Sequence, residues 1–523
     1  MGVPTGPENM ADKPLPLSRR HDQRHALIRR AFVLPSRDLG QRVVSGASFT
    51  LLGIAARTLL TIGSMAILAR LLTPADFGYI AMAAVVTEFA SLLASFGLGN
   101  ILIQKRVVSR LQLDTVFWAG TATGCAIAAL VFLVSFATEL LFAEPTVGGL
   151  LRALSITFVL AGLTTVHEAV LARLMQFHTE FYIRIGALGV RALTSIVFAW
   201  LGFGVWSLVA GPIAGALAQL VLMFIAVPFL PRLRFYAAYL FANLRTGGSY
   251  MGNTFLYYLM MNVDLLLIGR QLGASMLGYY QNARSLTDEI RGRIAMPLQR
   301  VLFPAFSAMQ ADRDRLRQSV LKSSRILAAI ICPIGFGLSA VAEELVPILY
   351  GDQWLPMIPV LTMLGIGAAL RGSTSIASSL FNAQNRVALS LRYNVVGAII
   401  LIGSVLAVVS HGLEAVTAAI ALNAMYSIVV LRASFGLIGL DFRDLLHVLA
   451  RPVLAAIAMW ICIAVLRTAL APMQFSTFVA LLLHVSTGVV TYSLALHLLS
   501  RQYLTDFTDL VTRIRGRQHR RAD

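Results

Sequence analysis

Ile67–Ile80 reads ILARLLTPADFGYI, and 200 residues further on Leu267–Tyr280 reads LIGRQLGASMLGYY. At that offset Arg70 falls on Arg270, Leu72 on Leu272, Gly78 on Gly278 and Tyr79 on Tyr279. Each copy closes a long apolar run, so the match reads as an internal repeat. The plain alternative is a recurring helix–turn–helix, because glycine punctuates many turns. Six apolar runs separate the copies, so both face the same way. Parallel halves related by an axis along the membrane normal are typical of alternating-access transporters, with the substrate held between them.

Composition sets the solvent. Of 523 residues, 57% are apolar and 13% charged, and mean hydropathy is +0.75. A water-soluble domain runs nearer half apolar and a quarter charged. Too few polar residues remain to cover a water-exposed surface, which excludes a soluble multidomain enzyme. Cys125, Cys332 and Cys462 lie far apart in apolar runs without histidine at ligand spacing. They read as small core residues and give neither a disulfide framework nor a zinc site.

A bilayer-crossing helix needs about 20 mostly apolar residues. Fourteen such runs are expected, near 43–69, 77–99, 115–138, 147–171, 180–201, 205–229, 247–269, 276–299, 327–349, 354–381, 393–410, 413–431, 452–471 and 475–499. Backbone polar groups in lipid must be satisfied within each segment, so the expected fold is an all-α polytopic bundle. It divides into a basic cytoplasmic tail (1–42), an N-lobe of spans 1–6 (43–230) and a cytoplasmic linker (231–246). A C-lobe of spans 7–12 (247–440), peripheral spans 13 and 14 (441–500) and a second basic tail (501–523) follow. The first tail lacks the apolar core and cleavage site of a signal peptide.

The net charge of +18 would suit nucleic acid or an anionic membrane surface, and its placement decides. With both termini cytoplasmic, 33 of the 43 basic residues fall in cytoplasmic segments; only Arg70, Arg152, Arg270 and Arg467 fall outside. That bias orients the chain and meets anionic phospholipids, with no need for nucleic acid.

A charge at the bilayer centre costs roughly 2.5–3.5 kcal/mol on insertion scales. Arg57, Glu88 and Arg191 lie midway along spans 1, 2 and 5; Arg371 lies near the middle of span 10 and Asp264 in the outer part of span 7. In span 8, Arg284, Asp288 and Arg291 share one helix face, with Glu289 and Arg293 beside them. One reading is that these charges pair and stitch the bundle together. The other is a wet cationic cavity between the lobes, lined by Arg57, Arg191, Arg284, Arg291 and Arg371. Guanidinium suits phosphate, so that cavity expects an anionic cargo. Glu88, Asp264 and Asp288 would balance charge when it is empty and are the candidates for a coupling proton or sodium. No other cofactor and no metal site is expected. His167 with Glu168, and His484, are proton-relay candidates or hydrogen-bonded interface residues. Pro212, Pro297, Pro304 and Pro333 with Gly335 and Gly337 are candidate bending points.

Several of these stretches carry a family resemblance. Ala69–Tyr79 (ARLLTPADFGY), Phe96–Arg106 (FGLGNILIQKR) and Leu171–Phe181 (LARLMQFHTEF) resemble bacterial polysaccharide exporters of the Wzx type. So do Arg300–Arg317 (RVLFPAFSAMQADRDRLR), Leu345–Leu361 (LVPILYGDQWLPMIPVL) and Leu370–Val396. The resemblance runs from about residue 43 to about residue 500. It is strongest to the colanic-acid-exporter-like branch of the polysaccharide transport family, within the multidrug/oligosaccharidyl-lipid/polysaccharide exporter superfamily. It implies a two-lobed fold with a central cationic cavity in the bacterial cytoplasmic membrane. It also implies the activity of moving a polyprenyl-(pyro)phosphate-linked sugar repeat unit to the outer leaflet for exopolysaccharide, capsule or O-antigen. A polysaccharide polymerase and a chain-length regulator are the implied partners. Arg57 and the Asp288–Arg293 cluster do not match family motif residues.

Two rivals stand beside that reading. A cation-coupled drug or metabolite exporter would favour an acidic, aromatic-lined cavity, against the arginine excess. A membrane glycan polymerase or ligase needs an acid or base near its acceptor, and the loops here are short. The topology is open to test: an externally active reporter fused after Leu499 should be silent, and an active fusion would overturn the even span count.

Overall fold

The computed structural model of the 523-residue chain describes residues 56–94, 99, 102–103, 105, 107–237, 248–473 and 475–500. Both tails, the start of the first span and most of the 231–246 linker lie outside the described residues.

Every extended regular element among these residues is a helix. Eleven helices are long and apolar enough to cross a membrane, and they correspond to spans 2–6 and 9–14. The other three expected spans are helical where described but do not meet both criteria. Residues 56–71 are one of them. The other two are the arms of a single element, Gly248–Ala308. Fourteen spans are expected from the sequence, and eleven meet both criteria among the described residues. The chain is an all-α polytopic membrane protein.

Gly248–Ala308 is broken at Gly273, whose φ of 82° and ψ of 178° only glycine adopts without strain. Arg284 bonds Asp264 across 20 residues, which in a straight helix would be about 30 Å apart. The two arms are therefore folded back on each other.

Small residues set the closest crossings. Gly124 and Gly162 lie where helices Arg110–Val134 and Ile156–Arg173 touch; a methyl at Gly162 would stand 2.6 Å from the Gly120 carbonyl oxygen. Gly335 of Arg313–Ala340 meets Gly365 of Met357–Ser373 in the same way, at 2.6 Å. Gly335 thus works in close backbone packing of the kind membrane helices use in place of hydrophobic burial. Phe442–Leu470 and Thr477–Leu499 lean on this second half: Tyr492 donates to the Ala329 carbonyl at 2.9 Å and Trp460 to Ser339 at 3.2 Å.

The buried apolar residues divide unevenly. One core draws on both halves, from Leu68, Phe77, Val147 and Leu151 to Leu265, Leu277, Trp354 and Val416. A second is built only from residues 102–229 and a third only from residues 295–496. The halves are joined at the end that carries the repeat and have separate cores at the other end.

Gly335→Ala should lower the melting temperature of the solubilised protein, because its new methyl would meet Ala369 Cβ at 2.7 Å and overpacking costs about 1–3 kcal/mol. Gly337→Ala, whose nearest neighbour lies at 3.7 Å, should leave it unchanged. Equal melting of the two variants would contradict the packing role.

Candidate functional site

A cavity of about 940 Å³ opens in the first half, its described lining drawn from residues 57–219. Its charged lining is Arg57, Glu88, Glu180, Arg184 and Arg191. Pro74–Ala94 supplies Glu88, and Phe177–Trp200 supplies Glu180, Arg184 and Arg191. Helix Ser207–Ala226 fixes the arginine wall: Gly211 and Gly215 let its backbone lie against Ser195 and Arg191, a methyl at Gly215 standing 2.9 Å from Arg191 Cβ. Larger residues there would displace Arg191.

The charges are not equivalent. Arg184 Nε donates to Glu180 at 2.8 Å, one turn earlier on the same helix. The Tyr258 hydroxyl, from the second half, lies against Glu88 at 3.4 Å and the Val85 carbonyl at 2.9 Å. Arg57 and Arg191 make no hydrogen bond or ion pair among the described residues, and they stand close enough to repel one another. Two guanidiniums that no carboxylate pairs among the described residues could hold an anion at this cavity, and planar forks suit phosphate oxygens.

The remaining predicted residues gather elsewhere. Arg284 Nη1 reaches both oxygens of the buried Asp264, at 3.0 and 2.9 Å, and Nε reaches Asp288 at 3.4 Å. The Tyr280 hydroxyl donates to Asp264, and Arg284 Nη2 faces Asn262 Oδ1 at 3.5 Å. Arg371 lies within electrostatic reach of Tyr280. The Arg291 side chain, like that of Arg293, lies outside the described residues. So Arg57, Arg191 and Glu88 come together, whereas Arg284, Asp264 and Asp288 form a separate ion cluster with Arg371 nearby. The described lining belongs to the first half, with Tyr258 of the second half against Glu88, while Arg284 is turned onto Asp264 and Asp288. Asn262 Nδ2 donates to the Tyr258 carbonyl at 3.1 Å, which connects the cluster to the cavity wall.

His167 is fully buried among Phe117, Phe224 and Phe229, and Glu168 accepts from Gln219 at 2.8 Å. His484 Nδ1 lies 3.0 Å from Glu344, which also takes Arg467 Nε at 2.9 Å. These groups are tied into helix interfaces. Glu180 and Arg184 have the i, i+4 spacing of a helical ion pair, a signal present in the sequence. The hydroxyl of Tyr258 carried no sequence signal of its own.

The chain is 29% identical over 364 residues to the lipopolysaccharide biosynthesis protein WzxC of Escherichia coli (strain K12), covering 68% of this chain and 73% of that one. It is 27% identical over 462 residues to the succinoglycan biosynthesis transport protein ExoT of Rhizobium meliloti (strain 1021), covering 87% and 92%. Among solved structures, the lipid II flippase MurJ in an inward closed conformation aligns with a TM-score of 0.66 at 13% identity, over 88% of this chain and all of that one. An inward-facing MATE multidrug transporter aligns at 0.53 and 16%, over 73% and 94%. At those identities the two structures speak for the fold alone. The family described as polysaccharide biosynthesis protein matches residues 67–359, a stretch that holds the repeat, the Glu88–Arg191 wall and the Arg284 cluster. That is more than half of the sequence, and the chain belongs to this family.

Proposed function

We propose that this protein is a flippase that carries a polyprenyl-(pyro)phosphate-linked oligosaccharide repeat unit from the inner to the outer leaflet of the bacterial cytoplasmic membrane. The observation that carries the reading is the pair Arg57 and Arg191, unpaired among the described residues, on the wall of a 940 Å³ cavity. That volume is at the upper end for small-molecule sites, enough for a phosphate headgroup with a short glycan. The relatives' own names tie them to polysaccharide assembly and, in one case, to transport. The MurJ-like fold supplies a frame of the right architecture.

In this reading the lipid phosphate sits at Arg57 and Arg191 while the glycan lies toward Glu180 and Arg184. Both termini are cytoplasmic, so the joined end faces outward and the cavity is loaded from inside. Alternating access then separates the shared core and brings the second and third cores together. No bond is made or broken; the work is transfer. A coupling proton or sodium would act at Glu88, whose carboxylate lines the cavity. Anionic phospholipids would meet the cytoplasmic arginines, and a polymerase with a chain-length regulator would take the product. The arginine excess argues against a cationic drug as cargo.

Arg57→Ala and Arg191→Ala should each cut glycan export at least tenfold, since a charge-assisted hydrogen bond is worth about 1.5–3 kcal/mol. Arg→Lys variants keep the charge without the fork and should be milder. Export is measured by complementation, with membrane abundance followed in parallel. Normal export from alanine variants at normal abundance would remove the assignment.

The cluster should behave in the opposite way. Arg284→Ala strands Asp264 as a buried charge, a loss of about 3–5 kcal/mol, so abundance and melting temperature should fall before transport is compared. Adding Asp264→Asn should restore part of both. An Arg284→Ala protein as stable as the wild type would refute the pairing role.

A further inference from the structure

The two copies of the repeat hold each other, and they do so reciprocally. A methyl on Gly78 would stand 1.8 Å from the Ala274 carbonyl oxygen, and a methyl on Gly278 would stand 1.9 Å from the Pro74 oxygen. Pro74 and Ala274 are themselves 200 residues apart, so each copy presents to the other the surface it receives. A contact of that form is isologous and implies a local two-fold axis between the copies. The arginines follow the same rule. Arg70 Nη2 donates to the Ile348 carbonyl at 2.6 Å, and Arg270 Nη1 donates to the Leu140 carbonyl at 3.0 Å. Ile348 lies in the helix Ala342–Leu349 and Leu140 in the helix Thr138–Phe142. Each acceptor stands three residues before a left-handed residue, Gly351 (φ 93°) and Ala143 (φ 56°). The carbonyls of a helix's last turn have no partner within the helix, and a cation there is favoured by the helix dipole.

We propose that Arg70 and Arg270 are the paired gate residues of the joined end, each fastening its own half of the protein to a short helix of the other half. This rests on the transport reading, since only a transporter needs that end to open. Both arginines are exposed, so each can exchange its carbonyl for water without stranding a charge, as a reversible fastening requires. Their neighbours show what the fastening protects. Trp354, fully buried, donates through Nε1 to the Ala69 carbonyl at 2.8 Å, and Gln353 reaches the Ala69 and Leu72 carbonyls at 2.6 and 3.0 Å. Phe77, Tyr279 and Tyr350 pack around the Trp354 ring. The indole plugs the joined end, and the arginines hold the helices on either side of it. Two fastenings on one local axis are released in one motion, so weakening either exposes the whole seam.

The test uses full-length protein in lipid nanodiscs, where both faces meet the reagent. Cys125, Cys332 and Cys462 are replaced by alanine, and Ala69, fully buried beside Trp354, is changed to cysteine. A water-soluble maleimide then reports how often the seam opens. Arg70→Ala and Arg270→Ala should each raise the labelling rate about fivefold, and together by roughly the product of the two. The remote arginine is decisive: Arg270 bonds the other half's Leu140, so a rise at residue 69 reports concerted opening. A rise with Arg70→Ala alone is local fraying and overturns the proposal, as does unchanged labelling. If the alanine variants do not accumulate, Arg70→Gln and Arg270→Gln are judged by the same criterion. Labelling needs no glycan, so a failed gate and a failed flippase reading are distinguishable.

Discussion

A guanidinium in a bilayer must find carboxylate, carbonyl or water, and much of the described structure follows from how its intramembrane arginines meet that demand. Arg284 meets it with protein: Asp264 and Asp288 surround it, and the arms on either side of Gly273 fold together to make this possible. Arg57 and Arg191 have no such partner among the described residues, and a cavity lies in front of them. The first solution makes a rigid strut. The second leaves a standing demand for an anion.

Glycine plays the complementary part. Lipid gives no hydrophobic reward for pressing helices together, so close approach must come from shape. Gly335 against Gly365, Gly162 against Gly120, and Gly78 and Gly278 on the repeat supply it. The strongest of these crossings lies at the joined end, where one apolar core draws on both halves. At the opposite end each half keeps its own core. A bundle joined at one end and divided at the other has a natural place to open, and the direction of opening is set by packing.

Much of this could be read from the residues. The fold class, eleven of the spans and the register of the repeat came from hydropathy and self-comparison, because lipid imposes long, uninterrupted apolar runs. What escaped was pairing at a distance. Arg191 and Arg284 look alike in the sequence, each an arginine within an apolar run. They differ because Gly273 reverses the chain and delivers Asp264 to Arg284 across 20 residues. Likewise Arg70 and Arg270 were visible as repeated residues, yet their acceptors are backbone carbonyls, which every residue carries. Glu180 and Arg184 stand at the start of Phe177–Trp200, where hydropathy alone does not separate a cavity wall from a membrane surface.

The repeat also explains why the two halves came to treat charge differently. At the offset of 200 residues, Glu88 corresponds to Asp288, so one position carries a carboxylate in both copies. One turn earlier the copies diverge: Arg284 in the second half, Ala84 in the first. Arg284 binds the carboxylate that follows it and closes the site. Ala84 offers Glu88 nothing and lines the cavity beside it. Asp264 diverges in the same sense, for Ser64 stands at its counterpart and brings no charge. Among the described residues, Glu88 faces the open volume with the hydroxyl of Tyr258 against it. Two exchanges, Arg284 for Ala84 and Asp264 for Ser64, thus distinguish the paired ion cluster from its counterpart. Ala84 leaves the volume beside Glu88 open where, in the second half, Arg284 occupies the corresponding place beside Asp288.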